Sequence, residues 1–270
     1  MRHLFLVVMT ALAASSMHAW ADEPLARSTD KAVRKQIEAI ADKQETFEKS
    51  LDGKFKKSIV RGPSGEVDVK AFLKDFASAV ERMDERFSGK YAASAEAADV
   101  FDRATRMHRY VREHPEMKGA NEWDGVAKRL GDLATSYNVT FPLAEGATPR
   151  RIGDGELADA AAEFAKLAPK TADALKKAAK TVPALVDAVE SGTADLKAAV
   201  DASKTIKSRV SAGKAASAEA RQLQALAGRI DTVVATSGAP DALTSSWTAC
   251  AAALDKVLTA FGLSRRSTSP

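Results

Sequence analysis

Beyond a short apolar start, hydrophobic residues recur at intervals of three, four and seven along nearly the whole chain. That spacing is the helical one, because residues so separated share a face. Val33, Ile37, Ile40, Phe47, Leu51, Phe55 and Ile59 predict a first helix, stopped by Gly62-Pro63-Ser64-Gly65. Val69, Leu73, Phe76, Val80, Met83 and Phe87 predict a second. Val100, Ala104, Met107 and Val111 predict a third, ending before Pro115. Trp123, Val126, Ala127, Leu130, Leu133, Ala134 and Tyr137 predict a fourth. Phe141 to Gly155 then breaks the pattern with Pro and Gly and reads as a linker. No segment alternates with period two for long enough to predict a strand.

The pattern then repeats. Ser64-Gly65-Glu66-Val67-Asp68-Val69-Lys70-Ala71 returns as Ser191-Gly192-Thr193-Ala194-Asp195-Leu196-Lys197-Ala198. Gly89-Lys90 and Ala93-Ser94-Ala95-Glu96-Ala97 return as Gly213-Lys214 and Ala216-Ser217-Ala218-Glu219-Ala220. Trp123, Ala127, Leu130, Leu133 and Tyr137 return as Trp247, Ala251, Leu254, Val257 and Phe261. The offsets are 127, then 123–124, then 124. A loss of three or four residues is close to one helical turn, so the buried face stays in phase. Residues 156–190 are a poorer counterpart of the first helix, with Pro169 and Pro183 interrupting the pattern. The expectation is an all-α protein: a tandem duplication of an antiparallel bundle, about four helices per half. Its parts are a signal peptide (1–21), a first bundle (22–142), a linker (143–155), a second bundle (156–263) and a flexible tail (264–270).

The start of the chain sets the expected compartment. Met1-Arg2-His3 is followed by the apolar run Leu4 to Ala14, as long as a signal-peptide core and too short to span a bilayer. Ala19-Trp20-Ala21 places cleavage after Ala21, so the mature chain starts at Asp22 and is periplasmic or secreted. No later stretch is apolar enough to cross a membrane. Arg2 is the leader's one full charge, so cleavage takes the formal net charge of +4 to +3. Acidic and basic residues interleave, which does not point to nucleic acid.

Candidate chemistry is sparse. One cysteine excludes a disulfide framework and Cys-rich metal sites. Cys250 aligns with Val126 in the repeat and reads as a small buried hydrophobe rather than a nucleophile. His108 aligns with Asp231 and reads as a polar boundary position. His114 adjoins Pro115 at a helix end and reads as a cap. The two histidines fall on opposite sides of a helix, so they share no metal. Trp123 and Trp247 read as core anchors rather than ligand platforms. The carboxylates of Glu81-Asp84-Glu85 read as a solvated network, and Lys54, Lys56, Lys57 and Arg61 as solvated basic residues suited to a helix C-terminus. Asn138-Val139-Thr140 matches an acceptor sequon, which carries no weight if the host is bacterial. Met83, Met107 and Met117 are too dispersed for a copper site. C-x-x-C-H, E-x-x-H, G-x-x-x-x-G-K-[ST], G-x-S-x-G and H-E-x-x-H are absent. No catalytic residue, cofactor or metal ligand is therefore assigned. The first expectation is a non-enzymatic binding or scaffold module for a protein or envelope component. The second is a carrier or sensor of a small molecule or metal held between the bundles. An enzyme with a dispersed site comes last.

Overall fold

The computed structural model describes residues 27–62, 65–235 and 238–265. The expected leader, its cleavage point and the tail beyond Arg265 lie outside them. The described chain is mostly helical. In order it forms α1 (Asp30–Ser50), a hairpin of β1 (Ile59–Gly62) and β2 (Gly65–Asp68), α2 (Val69–Arg86), α3 (Ser94–Glu113) and α4 (Ala120–Ser136). Then follow α5 (Asp154–Ala178), α6 (Ala188–Ser211), α7 (Ser217–Val234) and α8 (Asp241–Thr259). Among the described residues no helix is long and apolar enough to cross a membrane.

Two corrections concern where helices stop. The first helix ends at Ser50, well short of Phe55 and Ile59. Leu51 is extended, and the Asp52 carboxylate accepts from the N–H groups of Lys54 and Phe55. This local turn competes with the helix for the same donors. The apolar spacing survives the break, so periodicity alone runs past it. Beyond a single 3₁₀ turn (Phe55–Lys57), Val60 pairs with Val67 across an antiparallel hairpin too short for period two to register. Phe55, stacked on Tyr110, and Val60 lie against the first core. In the other direction, Pro169 does not interrupt the second half: α5 runs through it to Ala178. Its buried face, including Leu157, Phe164, Ala168 and Leu175, packs closely along α6 and α8. That burial offsets the missing N–H and the clash one turn back.

The buried residues form two clusters. One gathers side chains of α1–α4, from Val33 to Tyr137, around Trp123, Phe47, Phe76 and Phe101. The other gathers those of α5–α8, from Leu157 to Phe261, around Phe164, Leu223, Trp247 and Leu254. Their packing differs. Gly192 on α6 brings that helix so close to α5 that an added Cβ would meet Leu175 at 2.8 Å. Ser203, fully buried, donates across to the Ala161 carbonyl at 2.9 Å. α1 instead packs chiefly on α4 and α2 on α3, which leaves an open groove between α1 and α2.

The segment between the clusters is tied to the first one. Leu143 N–H donates to the Thr105 hydroxyl, Arg150 N–H to the Tyr137 carbonyl and Arg151 N–H to the Ser94 hydroxyl. Asn138 Nδ2 donates to the Arg150 carbonyl at 3.0 Å.

Candidate functional site

The residues singled out for chemistry are held in structural roles. Cys250 is fully buried beside Thr171, and burial raises its thiol to about 11. A thiol so raised is protonated at neutral pH and is a poor nucleophile. His114 is the C-cap of α3, with its ring on Tyr110. His108 and Asp231 share a role that the repeat alignment does not reveal. The Trp123 indole donates to His108 Nδ1 at 3.3 Å, and the Trp247 indole donates to Asp231 Oδ1 at 2.8 Å. Both tryptophans are buried. A buried indole N–H needs an acceptor, and each core supplies one from the helix before. Burial first and Arg112 second lower the His108 pKa, which keeps its nitrogen free to accept. Among the described residues no group of three or more His, Cys, Asp or Glu is placed to hold a metal ion.

Charged side chains gather in two places. The first is the groove between α1 and α2, with a volume of about 530 Å³. Ile37, Ala77 and Val80 form its floor. Glu38, Asp42, Glu45 and Glu48 from α1, with Glu81 and Asp84 from α2, form its walls. Asp84 is paired with Arg34 and Glu45 with Lys49. Glu38, Asp42, Glu48 and Glu81 have no basic partner within 4.0 Å among the described residues. Of the carboxylates read as a solvated network, Glu81 and Glu85 are exposed and Asp84 is paired with Arg34. The corresponding groove between α5 and α6 is walled by Lys176, Lys197 and Glu190, so the acidic character belongs to the first half.

The second place is the junction of the two clusters. Arg27 precedes α1 and Arg151 precedes α5, in Arg27-Ser28-Thr29-Asp30 and Arg151-Ile152-Gly153-Asp154, which stand 124 residues apart. Arg27 Nη1 donates to Asp154 at 2.5 Å and Nη2 to the Ile152 carbonyl at 3.0 Å. Arg151 Nη2 donates to Asp30 at 2.7 Å and to the Ser28 carbonyl at 2.8 Å. The two helix starts also cap each other: Asp30 N–H donates to Asp154 Oδ2 at 2.9 Å and Asp154 N–H to Asp30 Oδ2 at 2.8 Å. Each carboxylate thereby satisfies an orphan donor and meets the positive end of the opposite helix. The arginine side chains are only 8% and 3% exposed, so these pairs are screened little by water. Beside them lies a cavity of about 250 Å³, lined by Arg27, Ser28 and Arg151 with Thr135, Asn138 and Phe261 among others. Arg27 also lies 6.0 Å from the centre of the Phe261 ring. Sequence reasoning took Arg151 and Asp154 for linker. The signal that would have found them is the offset of 124, the same as between the two tryptophans.

These features define a mostly helical, all-α protein with an acidic groove between α1 and α2 and a cavity beside the exchanged arginines. Compared with known protein families, with characterised proteins and with solved structures, the chain matches none.

Proposed function

We propose that the chain is an exported, non-enzymatic binding or scaffold protein, built by duplication of a four-helix unit. Its groove between α1 and α2 receives a basic, amphipathic segment of a partner protein or envelope component. The observation that carries this is the pairing of an apolar floor with four uncompensated carboxylates, Glu38, Asp42, Glu48 and Glu81. An amphipathic helix with a lysine-bearing face fits both: its apolar side covers Ile37, Ala77 and Val80, and its ammonium groups answer the walls.

Support for duplication comes from three sets of contacts at nearly the same offset. These are the indole pairs Trp123–His108 and Trp247–Asp231, the ion pairs Arg86–Glu96 and Arg209–Glu219, both at 2.8 Å, and the exchanged Arg–Asp pairs at the junction. Support for export is the apolar run Leu4 to Ala14 followed by Ala19-Trp20-Ala21. N-terminal sequencing of protein released by osmotic shock should read from Asp22, whereas a product starting at Met1 in the membrane fraction overturns export.

The groove is tested with a synthetic amphipathic helix bearing lysine on one face and leucine on the other. It should bind the mature chain, shift amide signals of α1 and α2, and weaken as salt rises. Replacing Glu38, Asp42, Glu48 and Glu81 together by their amides should lower affinity about tenfold or more. Equal binding to that variant, or shifts confined to other helices, refutes the assignment.

A second reading, a carrier of a small molecule held between the halves, has the junction cavity in its favour.

A further inference from the structure

Among the described residues the first half carries a hairpin that its repeat lacks. Gly65 to Ala71 recurs as Gly192 to Ala198, yet the first stretch forms β2 and the start of α2 while the second lies wholly inside α6. In the second half Gly192 brings α6 tightly against α5. In the first half the hairpin instead encloses, with α2 and α3, a cavity of about 300 Å³.

The lining decides what this cavity can hold. Val60 and Val67 are paired across the hairpin, so they share a face, and both line the cavity. Phe55, Phe72 and Tyr110 bring rings from the 3₁₀ turn, α2 and α3. Phe55 and Tyr110 are stacked, with ring centres 6.0 Å apart. All three rings are half-buried and Val67 is 43% exposed, so the apolar wall is within reach from solvent. Tyr110 stands where the repeat has Val233, so the helical unit does not itself require a ring there.

The charges at the rim are already matched. Arg61 donates to Glu66 at 2.6 Å, Arg106 to Asp102 at 2.7 Å and Arg103 to Asp99 at 2.8 Å, with Asp75 at 3.6 Å from Arg103. Asp68 accepts from the Ala71 N–H at 2.9 Å and caps α2. A charged ligand would give up its water and find no free counter-charge, whereas a neutral one gives up little. Aromatic rings offer faces and edges to another ring, and a guanidinium paired along its edge keeps its planar face open to stack on one. A flexible chain uses neither.

We infer that the cavity between the hairpin, α2 and α3 binds a neutral, planar aromatic small molecule, its ring packed against Phe55, Phe72 and Tyr110 and covered by Val67. This goes beyond the docking function and rests neither on the groove between α1 and α2 nor on the cavity at the junction. Binding ties the hairpin to the two helices and stabilises the native chain by mass action.

The test uses the full mature chain with indole as probe, against indole-3-acetate, which adds a charge, and cyclohexanol, which lacks the aromatic ring. Indole should bind saturably, raise the melting temperature, and shift the methyl signals of Val60 and Val67 and the ring signals of Tyr110. The other two should each bind about tenfold or more weakly. Val67→Trp fills the cavity from an exposed position and should weaken indole about tenfold or more, and Tyr110→Val, which installs the residue of the repeat, should do the same. Should either variant fail to fold, the wild-type shifts decide alone. Signals unmoved by millimolar indole, shifts confined to α1 or the junction, or binding unchanged in Val67→Trp overturn the proposal. Equal binding of cyclohexanol overturns the aromatic class, and tighter binding of indole-3-acetate overturns the neutral one. The synthetic helix moves signals of α1 and α2 rather than of the hairpin, so the docking reading and this one stand or fall separately.

Discussion

Cys250 and His108 show how burial decides what a reactive side chain can do. The Cys250 thiol, raised to about 11 by burial, faces Thr171, whose hydroxyl also reaches the Ser246 carbonyl at 3.3 Å and the Ser246 hydroxyl at 3.0 Å. Cys250→Val therefore leaves Thr171 satisfied and restores the residue found at Val126. It should cost under about 1.5 kcal/mol, while Cys250→Asp should cost several kcal/mol by burying a charge. Slow labelling of the native thiol checks the first half of this argument and denaturant melts the second. At His108 the folded state favours the neutral ring, so its folded pKa lies below the ordinary 6.5. The unfolded chain then binds the proton more readily than the folded one. Stability from the Trp123–His108 bond is present above pH 6.5 and is lost as pH falls from there through the folded pKa. Melting curves across that window should show the loss in the wild type and less of it in His108→Asn, which accepts without gaining a proton.

At the scale of elements, helix starts and close approaches matter more than intrinsic helix preference. Gly155, in the first turn of α5, sits against the loop after α2: a Cβ there would stand 2.1 Å from the Gly89 carbonyl oxygen. Gly131, inside α4, has open space around its Cβ position. Glycine to alanine ordinarily strengthens a helix by about 1 kcal/mol. Gly131→Ala should do so, and Gly155→Ala should instead destabilise by about 1–3 kcal/mol because backbone must move. Equal and positive effects in chemical denaturation would mean that α5 does not start against Gly89. The same elements explain what was legible in the chain. α2, α3 and α4 follow their apolar periodicity because each has one buried stripe and a break in the pattern at either end. The end of α1 was not legible, because an Asx turn at Asp52 leaves the apolar spacing intact. Nor was the passage of α5 through Pro169, because packing against α6 and α8, not propensity, holds that helix.

For the whole molecule the decisive contacts are the exchanged arginines. Arg151 reaches Asp30, and Arg27 reaches Asp154, so each helix start is completed by residues from the other. Removing one partner strands a largely buried charge. Arg151→Ala, leaving Asp30 unpaired, should cost about 3–5 kcal/mol. Because the two apolar clusters are otherwise separate, this loss should fall on their coupling: a single cooperative melt in the wild type should split into two transitions in the variant. A variant that melts in one step at the wild-type temperature would show that the junction does not couple the clusters.

What the sequence determined by itself is local and periodic. The spacing of apolar residues set which faces of the first four helices are buried, from Val33 to Tyr137, because a helix maps sequence interval directly onto direction. The matching offsets of Trp123 with Trp247 and His108 with Asp231 were also in the chain, although their hydrogen bonds were not. Tertiary structure alone decided which charges gather in the groove and at the junction. Whether Glu38, Asp42, Glu48 and Glu81 meet lysines or water depends on how far α2 stands from α1, which no interval along the chain encodes. Arg27 and Arg151 lie in segments without periodicity, and they acquire a role only when two helix starts meet head to head. The electrostatic field at a point depends on distances in space. The amphipathic pattern depends on distances along the chain, and that is why the cores were legible in the sequence and the sites were not.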